Sequence, residues 1–365
     1  MRSIFVRLAQ NSYQILVGTG ILERAPSLLE KLRLGKRVVV VTEKRVARHH
    51  LSRLTRALKK KGVEYQIFYL AQGERAKQAE EIFRLYRFLL KNHFERRDAV
   101  IAFGGGAVGD AAGFTASTYL RGVPLIQIGT TLLAQVDSSI GGKTGINLPE
   151  GKNLVGTFYQ PRLVISDVTL LKTLPRRELV ASLGEVVKYG VIRNAQLFRY
   201  LEKRIKSVLA GNLKSLEEVV FRSARIKAGV VERDERETRG ERMILNYGHT
   251  FAHAFEASRK FRGIRHGEAV ALGMICAARL ARRRKLFLAA DEIRQNRLLK
   301  NAGLPTRLAR FRFNRERVLR HMLLDKKKSG GKLRFVLPEA IGRVKIVDEV
   351  TLPEIKKVLV ELDGR

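Results

Sequence analysis

Two hydrophobic patterns alternate through the first half of the chain. Short apolar runs at 37–41, 65–70, 99–103, 124–128 and 163–166 have the β-branched character of strands buried on both faces. Between them, 46–60 and 76–92 repeat apolar residues at helical spacing, the second with Ile82, Leu85, Tyr86 and Leu89 on one face. Strand and helix alternating at this interval predict a doubly wound, Rossmann-like α/β domain with a parallel sheet. Beyond Leu174 the pattern becomes helical almost throughout: 178–191, 196–209, 216–232, 249–258, 268–284 and 290–302. Only 333–337 and 344–347 read as extended. Proline suits a helix start and disfavours helix before it, so Leu174-Pro175 is the predicted boundary. The expectation is an α/β domain over 1–174 and a mainly α-helical domain over 175–365, with no internal repeat or low-complexity linker.

Composition adds exclusions. Of the 365 residues 45% are hydrophobic, too many for a disordered chain. The 71 Lys and Arg against 35 Asp and Glu give a net charge of +36. The basic residues are spread along the whole length, and the longest runs are only 59–61, 282–285 and 326–328. Without a basic tail, a heptad zipper or Cys/His finger spacing, this charge reads as the Arg-rich surface of an enzyme with anionic substrates, not as a nucleic-acid binder. Cys276 is the only cysteine, so no intramolecular disulfide can form, and its apolar helical setting makes it a small core residue. Residues 1–10 lack the apolar core of a signal peptide, and no run approaches a membrane span. A soluble, cytoplasmic protein is expected.

Three segments could carry chemistry. The strand at 99–103 runs into Gly104-Gly105-Gly106-Ala107-Val108-Gly109-Asp110 and then a helical pattern. Glycines in the G-x-G-x-x-G register let backbone approach a pyrophosphate at a helix N-terminus, although here the motif follows a later strand than in the ordinary dinucleotide fold. Glu43, at the end of the 37–41 strand, could accept from ribose hydroxyls. The second segment, 135–153, combines small residues with Asp137, Lys143, Asn147, Lys152 and Asn153. Gly142-Lys143-Thr144 echoes the end of an ATP-binding loop, but Asp137 stands where that motif needs glycine. A flexible site for a phosphate or polyol is the reading that remains. In the helical half, Glu185 and Lys188 lie at i,i+3, His249 and His253 at i,i+4, and His266 precedes Glu268. Two imidazoles and a carboxylate make a catalytic zinc set. Thr250 occupies the place of the metalloprotease general base, which excludes that class. Spacing favours His249 with His253 as the imidazole pair, and composition leaves the choice of ligands open.

Taken together and in order, Gly104-Gly105-Gly106-x-x-Gly109-Asp110, 137–145, Gly151-Lys152-Asn153, 184–190, Leu245-Asn246-Tyr247-Gly248-His249-Thr250 and His266-Gly267-Glu268-Ala269-Val270 resemble the 3-dehydroquinate synthase family of sugar-phosphate cyclases over 37–342. The resemblance implies an N-terminal NAD-binding α/β domain, a helical C-terminal domain and a site in the cleft between them. It implies conversion of 3-deoxy-D-arabino-heptulosonate 7-phosphate to 3-dehydroquinate and phosphate, in the shikimate pathway to chorismate and the aromatic amino acids. In that reaction NAD oxidises a ring alcohol, phosphate is eliminated, the ketone is reduced again and the opened ring closes by aldol addition.

Carried over residue by residue, the resemblance makes Glu185, His249 and His266 the ligands of Zn2+ or Co2+ and leaves His253 as a contact to phosphate or a hydroxyl. It assigns NAD to Glu43, Glu74, Lys77, Gly106, Ala107, Val108, Gly109, Asp110, Thr130, Thr131, Asp137, Lys143, Lys152, Leu170, Leu171, Lys172 and Thr173. Substrate and catalysis fall to Arg121, Lys143, Asn153, Lys188, Lys227, Glu237, Arg242, Asn246, His253 and either Lys326 or Lys327. The segment 234–242 is one residue longer than the family's usual spacing. Lys227, Asn246 and His253 together favour the dehydroquinate enzyme over valiolone or deoxy-scyllo-inosose synthases and over a metal- and NAD-dependent polyol dehydrogenase. A small-molecule sugar phosphate is the expected partner, with no nucleic acid or membrane, and a homodimer is the expected assembly.

Overall fold

A computed structural model describes the chain apart from residues 36, 312, 329–332 and 364–365, and describes side chains except also at 325–328 and 363. Its two compact units are Met1–Pro175 with Leu213–Arg236, and Arg176–Asn212 with Glu237–Arg365.

The first unit is built on nine strands: β1 (Arg2–Val6), β2 (Tyr13–Gly18), β3 (Arg37–Glu43), β4 (Glu64–Leu70), β5 (Ala99–Gly104), β6 (Leu125–Gly129), β7 (Lys143–Leu148), β8 (Gly151–Phe158) and β9 (Leu163–Asp167). Seven form one sheet in the order β1-β2-β9-β6-β5-β3-β4, and β7 and β8 form a separate antiparallel hairpin. Within the sheet only β1 and β2 pair antiparallel. Side chains alternate across the sheet, so Val38 and Val40 join Leu54, Leu58, Ile101 and Phe103 in one core. Val39 and Val41 join Leu85, Leu89, Val100 and Ala112 in the other. Burial on both faces explains the unbroken apolar runs.

This strand order explains the late position of the glycine motif. β3 lies between β4 and β5, so after β4 the chain crosses back to the other side of β3. The carboxyl ends of β3 and β5 therefore flank the point where winding reverses, the crevice in which open α/β sheets bind ligands. Glu43 ends β3, and the glycine run follows β5.

Parts of the first unit differ from the sequence expectation. β1 and β2 extend the sheet from a region without an assigned element, and the supposed flexible segment contains a helical turn at Ala134–Ser138 and the β7–β8 hairpin. The helix Leu213–Arg233 belongs to the first unit, not to the helical one. It is tied there by Arg2 to Glu218 (2.6 Å) and by Thr19 donating to Glu217 (2.9 Å).

The second unit is mainly helical: Arg176–Ile192, Ala195–Leu209, His249–Ser258, His266–Arg283, Ala289–Asn301, Arg315–Lys328 and Leu352–Asp363, with a two-stranded ribbon of β10 (Phe335–Ala340) and β11 (Arg343–Val347). Among the described residues no helix is long and apolar enough to cross a membrane. Cys276 is buried, and burial pushes its thiol well above the ordinary range, as a core role requires.

Candidate functional site

In the first unit, β5 passes through Gly105 into the helix Gly106–Thr118. No described side chain caps this helix at Gly105, so its first-turn amides remain available to an anion. A Cβ on Gly106 would lie 3.0 Å from the Ser138 hydroxyl, which is buried with no hydrogen-bond partner among the described residues. Uncapped amides beside an orphaned hydroxyl suit a pyrophosphate. Val108 is buried, so it could offer such a group only its backbone.

The carried-over cofactor residues are linked to one another. Lys77 Nζ is 2.6 Å from the Asp110 carboxylate and also donates to the Asn153 side chain. Glu43 accepts from the Gly73 amide (3.0 Å), and Glu74 accepts from Asn147 (2.8 Å) and lies 3.7 Å from Lys152. Glycine 73 and its neighbours thus join the end of β3 to the hairpin. Burial raises the Asp110 carboxyl above its ordinary range, and Lys77 only partly offsets this. Removing one partner of a buried pair strands the other. Lys77→Met should therefore destabilise the protein by about 3 kcal/mol in denaturant unfolding. Lys77→Met with Asp110→Asn should lose less than the sum of the two single variants.

Asp110, Asp137, Lys143, Asn153 and Lys227 line one cavity of about 500 Å³. Lys227 reaches it from the returning helix and bonds both the Asp137 carboxylate (2.9 Å) and its carbonyl oxygen (2.8 Å). Thr130 is buried at the end of β6, and Thr131 Oγ1 accepts from the Ala134 amide (3.1 Å). Leu170 and Leu171 are buried, Leu170 within the core, so backbone is what they could present; Lys172 and Thr173 are exposed. Arg121 is exposed on a turn in which Leu120 and Arg121 both take left-handed φ (48° and 63°), a strain that tends to be kept at functional sites.

In the second unit three helices meet backbone on backbone at glycines. A Cβ on Gly184 would lie 2.4 Å from the Gly267 carbonyl oxygen, and one on Gly267 only 1.8 Å from that of Ala181. Likewise a Cβ on Gly273 would lie 2.0 Å from the Gly248 carbonyl oxygen. These crossings bring the Glu185 carboxylate to 3.4 Å from His249 Nε2 and 3.2 Å from His266 Nε2. One donor atom from each of the three lies within 4.8 Å of the others, a set that could hold a metal ion.

Charge around this set is concentrated. Burial works against ionisation of Glu185, but Lys188, ion-paired with it, and the two imidazoles hold it well below the usual carboxylate range. Burial would lower His266 too, yet hydrogen bonds to Glu185 and Glu256 raise it to about 10. A cation taking that place must displace the proton, so its affinity should weaken on acidification.

His253 stays outside the set. Its ring centroid is 5.4 Å from that of His249, about as near as His266 at 5.3 Å, but Glu185 faces His266. His253 keeps an exposed edge, while surrounding protein and the neighbouring imidazoles lower it to about 4. With no bound anion beside it, the His253 ring is neutral near pH 7. Arg242 is buried and 3.5 Å from Glu237, so these two residues of the longer segment are ion partners. Asn246 is exposed, and the side chains of Lys326 and Lys327 lie outside the described residues. Sequence reading missed Glu256, 3.2 Å from His266 Nδ1, although it continues the face of His249 and His253 at i+7 and i+3.

Family models for the N-terminal and C-terminal parts of 3-dehydroquinate synthase match residues 67–181 and 182–328. The chain belongs to the 3-dehydroquinate synthase family. It is 46% identical over 359 residues to the 3-dehydroquinate synthase of Desulforamulus reducens, covering 98% of this chain and 99% of that one. Among solved structures, 2-epi-5-epi-valiolone synthase from Streptomyces hygroscopicus with NAD+ and Zn2+ bound superposes with a TM-score of 0.89 at 29% identity, over 98% of each chain. A 2-deoxy-scyllo-inosose synthase complexed with carbaglucose-6-phosphate, NAD+ and Co2+ gives 0.88 at 27%, over 99% of each. These relatives also share the parallel-sheet and helical architecture expected from the sequence.

Proposed function

We propose that this protein converts 3-deoxy-D-arabino-heptulosonate 7-phosphate to 3-dehydroquinate and phosphate, acting as a carbon–oxygen lyase. The observation that carries this reading is the buried Glu185 carboxylate facing His249 and His266 at 3.4 and 3.2 Å, in a chain of this family. These three residues would hold Zn2+ or Co2+. Gly106–Asp110, the Ser138 hydroxyl and the residues around Lys77 would hold NAD. When bound, the cation supplies Lewis-acid polarisation of substrate oxygens and NAD supplies reversible hydride acceptance, without net redox change.

The chain's own residues supply binding and charge. Lys143 and Lys227, with Asn153, give their cavity donors for an anionic, hydroxylated ligand. Elimination of phosphate builds negative charge on the leaving oxygens, and fixed cations stabilise it more than they stabilise the bound ester. Lys188 and Arg242, both buried, bring two cationic side chains to the second unit. The His253 ring would donate to or accept from a substrate oxygen.

Substrate choice tests this reading against the other cyclases of the superfamily. With NAD and zinc present, heptulosonate 7-phosphate should release phosphate at least a hundredfold faster than glucose 6-phosphate. The opposite preference would assign the chain to a different sugar-phosphate cyclase.

A further inference from the structure

The two imidazoles of the proposed metal set have different partners at their outer nitrogens. His249 Nδ1 faces the Tyr247 carbonyl oxygen at 3.2 Å. His266 Nδ1 faces the Glu256 carboxylate, also at 3.2 Å, while its Nε2 points at Glu185. The difference follows exposure. The His249 side chain is 12% exposed and held by packing, whereas that of His266 is 38% exposed and sits on the first residue of its helix. Glu256 lies on a neighbouring helix and is itself only 13% exposed, so it forms a fixed wall behind the looser ring.

We propose that Glu256 is a positioning residue for the metal centre. Its carboxylate accepts the Nδ1–H of His266, fixes the tautomer with Nε2 free, holds the ring plane and strengthens Nε2 as a donor. Outer carboxylates of this kind orient and tune ligating imidazoles. The inference rests on reading Glu185, His249 and His266 as metal ligands. A purely structural alternative is that Glu256 is a strut between the helices His249–Ser258 and His266–Arg283. A strut would need the hydrogen bond and not the charge.

Zinc affinity of the full chain, measured by competition with a chromophoric chelator, separates the two. Glu256→Gln keeps size and an acceptor but removes the charge; it should bind zinc 10- to 100-fold more weakly. Glu256→Asp keeps the charge and should stay closer to wild type than Gln does. The absorption bands of the cobalt-loaded Gln variant should shift as the donor strength of His266 changes. His266→Ala serves as the control. If it loses zinc while Glu256→Gln binds within twofold of wild type, or if Asp proves weaker than Gln, the role of Glu256 is overturned and the ligand set stands. If His266→Ala keeps zinc, the ligand set itself falls, and this inference with it.

Discussion

Replacing His266 by alanine should strip the chain of its divalent cation and lower turnover by about 10³-fold or more. A Lewis acid supplies several kcal/mol to a transition state that develops charge on oxygen, and each 1.36 kcal/mol or so is tenfold in rate. Glu185 would be left facing one imidazole, and two protein donors hold zinc poorly. The fold should survive, because His266 occupies the half-buried first position of its helix. His253→Ala, one helical turn from His249, should retain a full equivalent of zinc while losing activity. Metal analysis of the two purified variants checks both outcomes. Zinc kept in His266→Ala but lost from His253→Ala would make the i,i+4 pair the real ligands.

Gly267→Ala should be nearly as damaging, although it adds only one carbon. Its Cβ would sit 1.8 Å from the Ala181 carbonyl oxygen, so the helices Arg176–Ile192 and His266–Arg283 must move apart by more than an ångström. Overpacking of this kind costs about 1–3 kcal/mol or more. Ala181 is one turn before Glu185, and Gly267 adjoins His266, so the displacement acts directly on the ligands. Metal distances tolerate only about 0.2 Å. Both the unfolding midpoint and the zinc affinity should therefore fall. Gly229→Ala is the matched control: it lies within the helix Leu213–Arg233, where an added Cβ meets only Arg233 at 3.8 Å. That change should be neutral or stabilise by about 0.5–1 kcal/mol. Equal stability and zinc binding in Gly267→Ala would show that the backbone crossing does not set the site.

What could be read from sequence depended on how local the determining interaction was. Val38–Val41 and Val100–Phe103 are buried on both faces, so their apolar runs reveal strands without knowledge of their partners. β1 is half-exposed, with only Ile4 and Val6 buried, and β8 is largely exposed; neither carries a strong pattern. The helix Leu352–Asp363 was legible but overlooked, since Ile355, Val358, Leu359 and Leu362 repeat at helical spacing and are buried. Periodicity marked Leu213–Arg233 as a helix but could not show what it packs against, and so Lys227 was placed with the wrong half.

The metal set shows the same limit. Residue types at Glu185, His249, His253 and His266 announce the chemistry, but spacing alone prefers His253. Resemblance to the family favours His266, and the glycine crossings bring His266 together with Glu185 and His249. Glu256 escaped because its partner lies on another helix, ten residues along the chain.

A single incubation of the zinc-loaded chain with heptulosonate 7-phosphate and a small, catalytic amount of NAD measures the proposed activity most directly. Inorganic phosphate and 3-dehydroquinate should form in equal amounts, exceed the NAD supplied many times over, and leave no accumulated NADH. NADH rising in step with product, or phosphate released without the carbocycle, would contradict a redox-neutral cyclase.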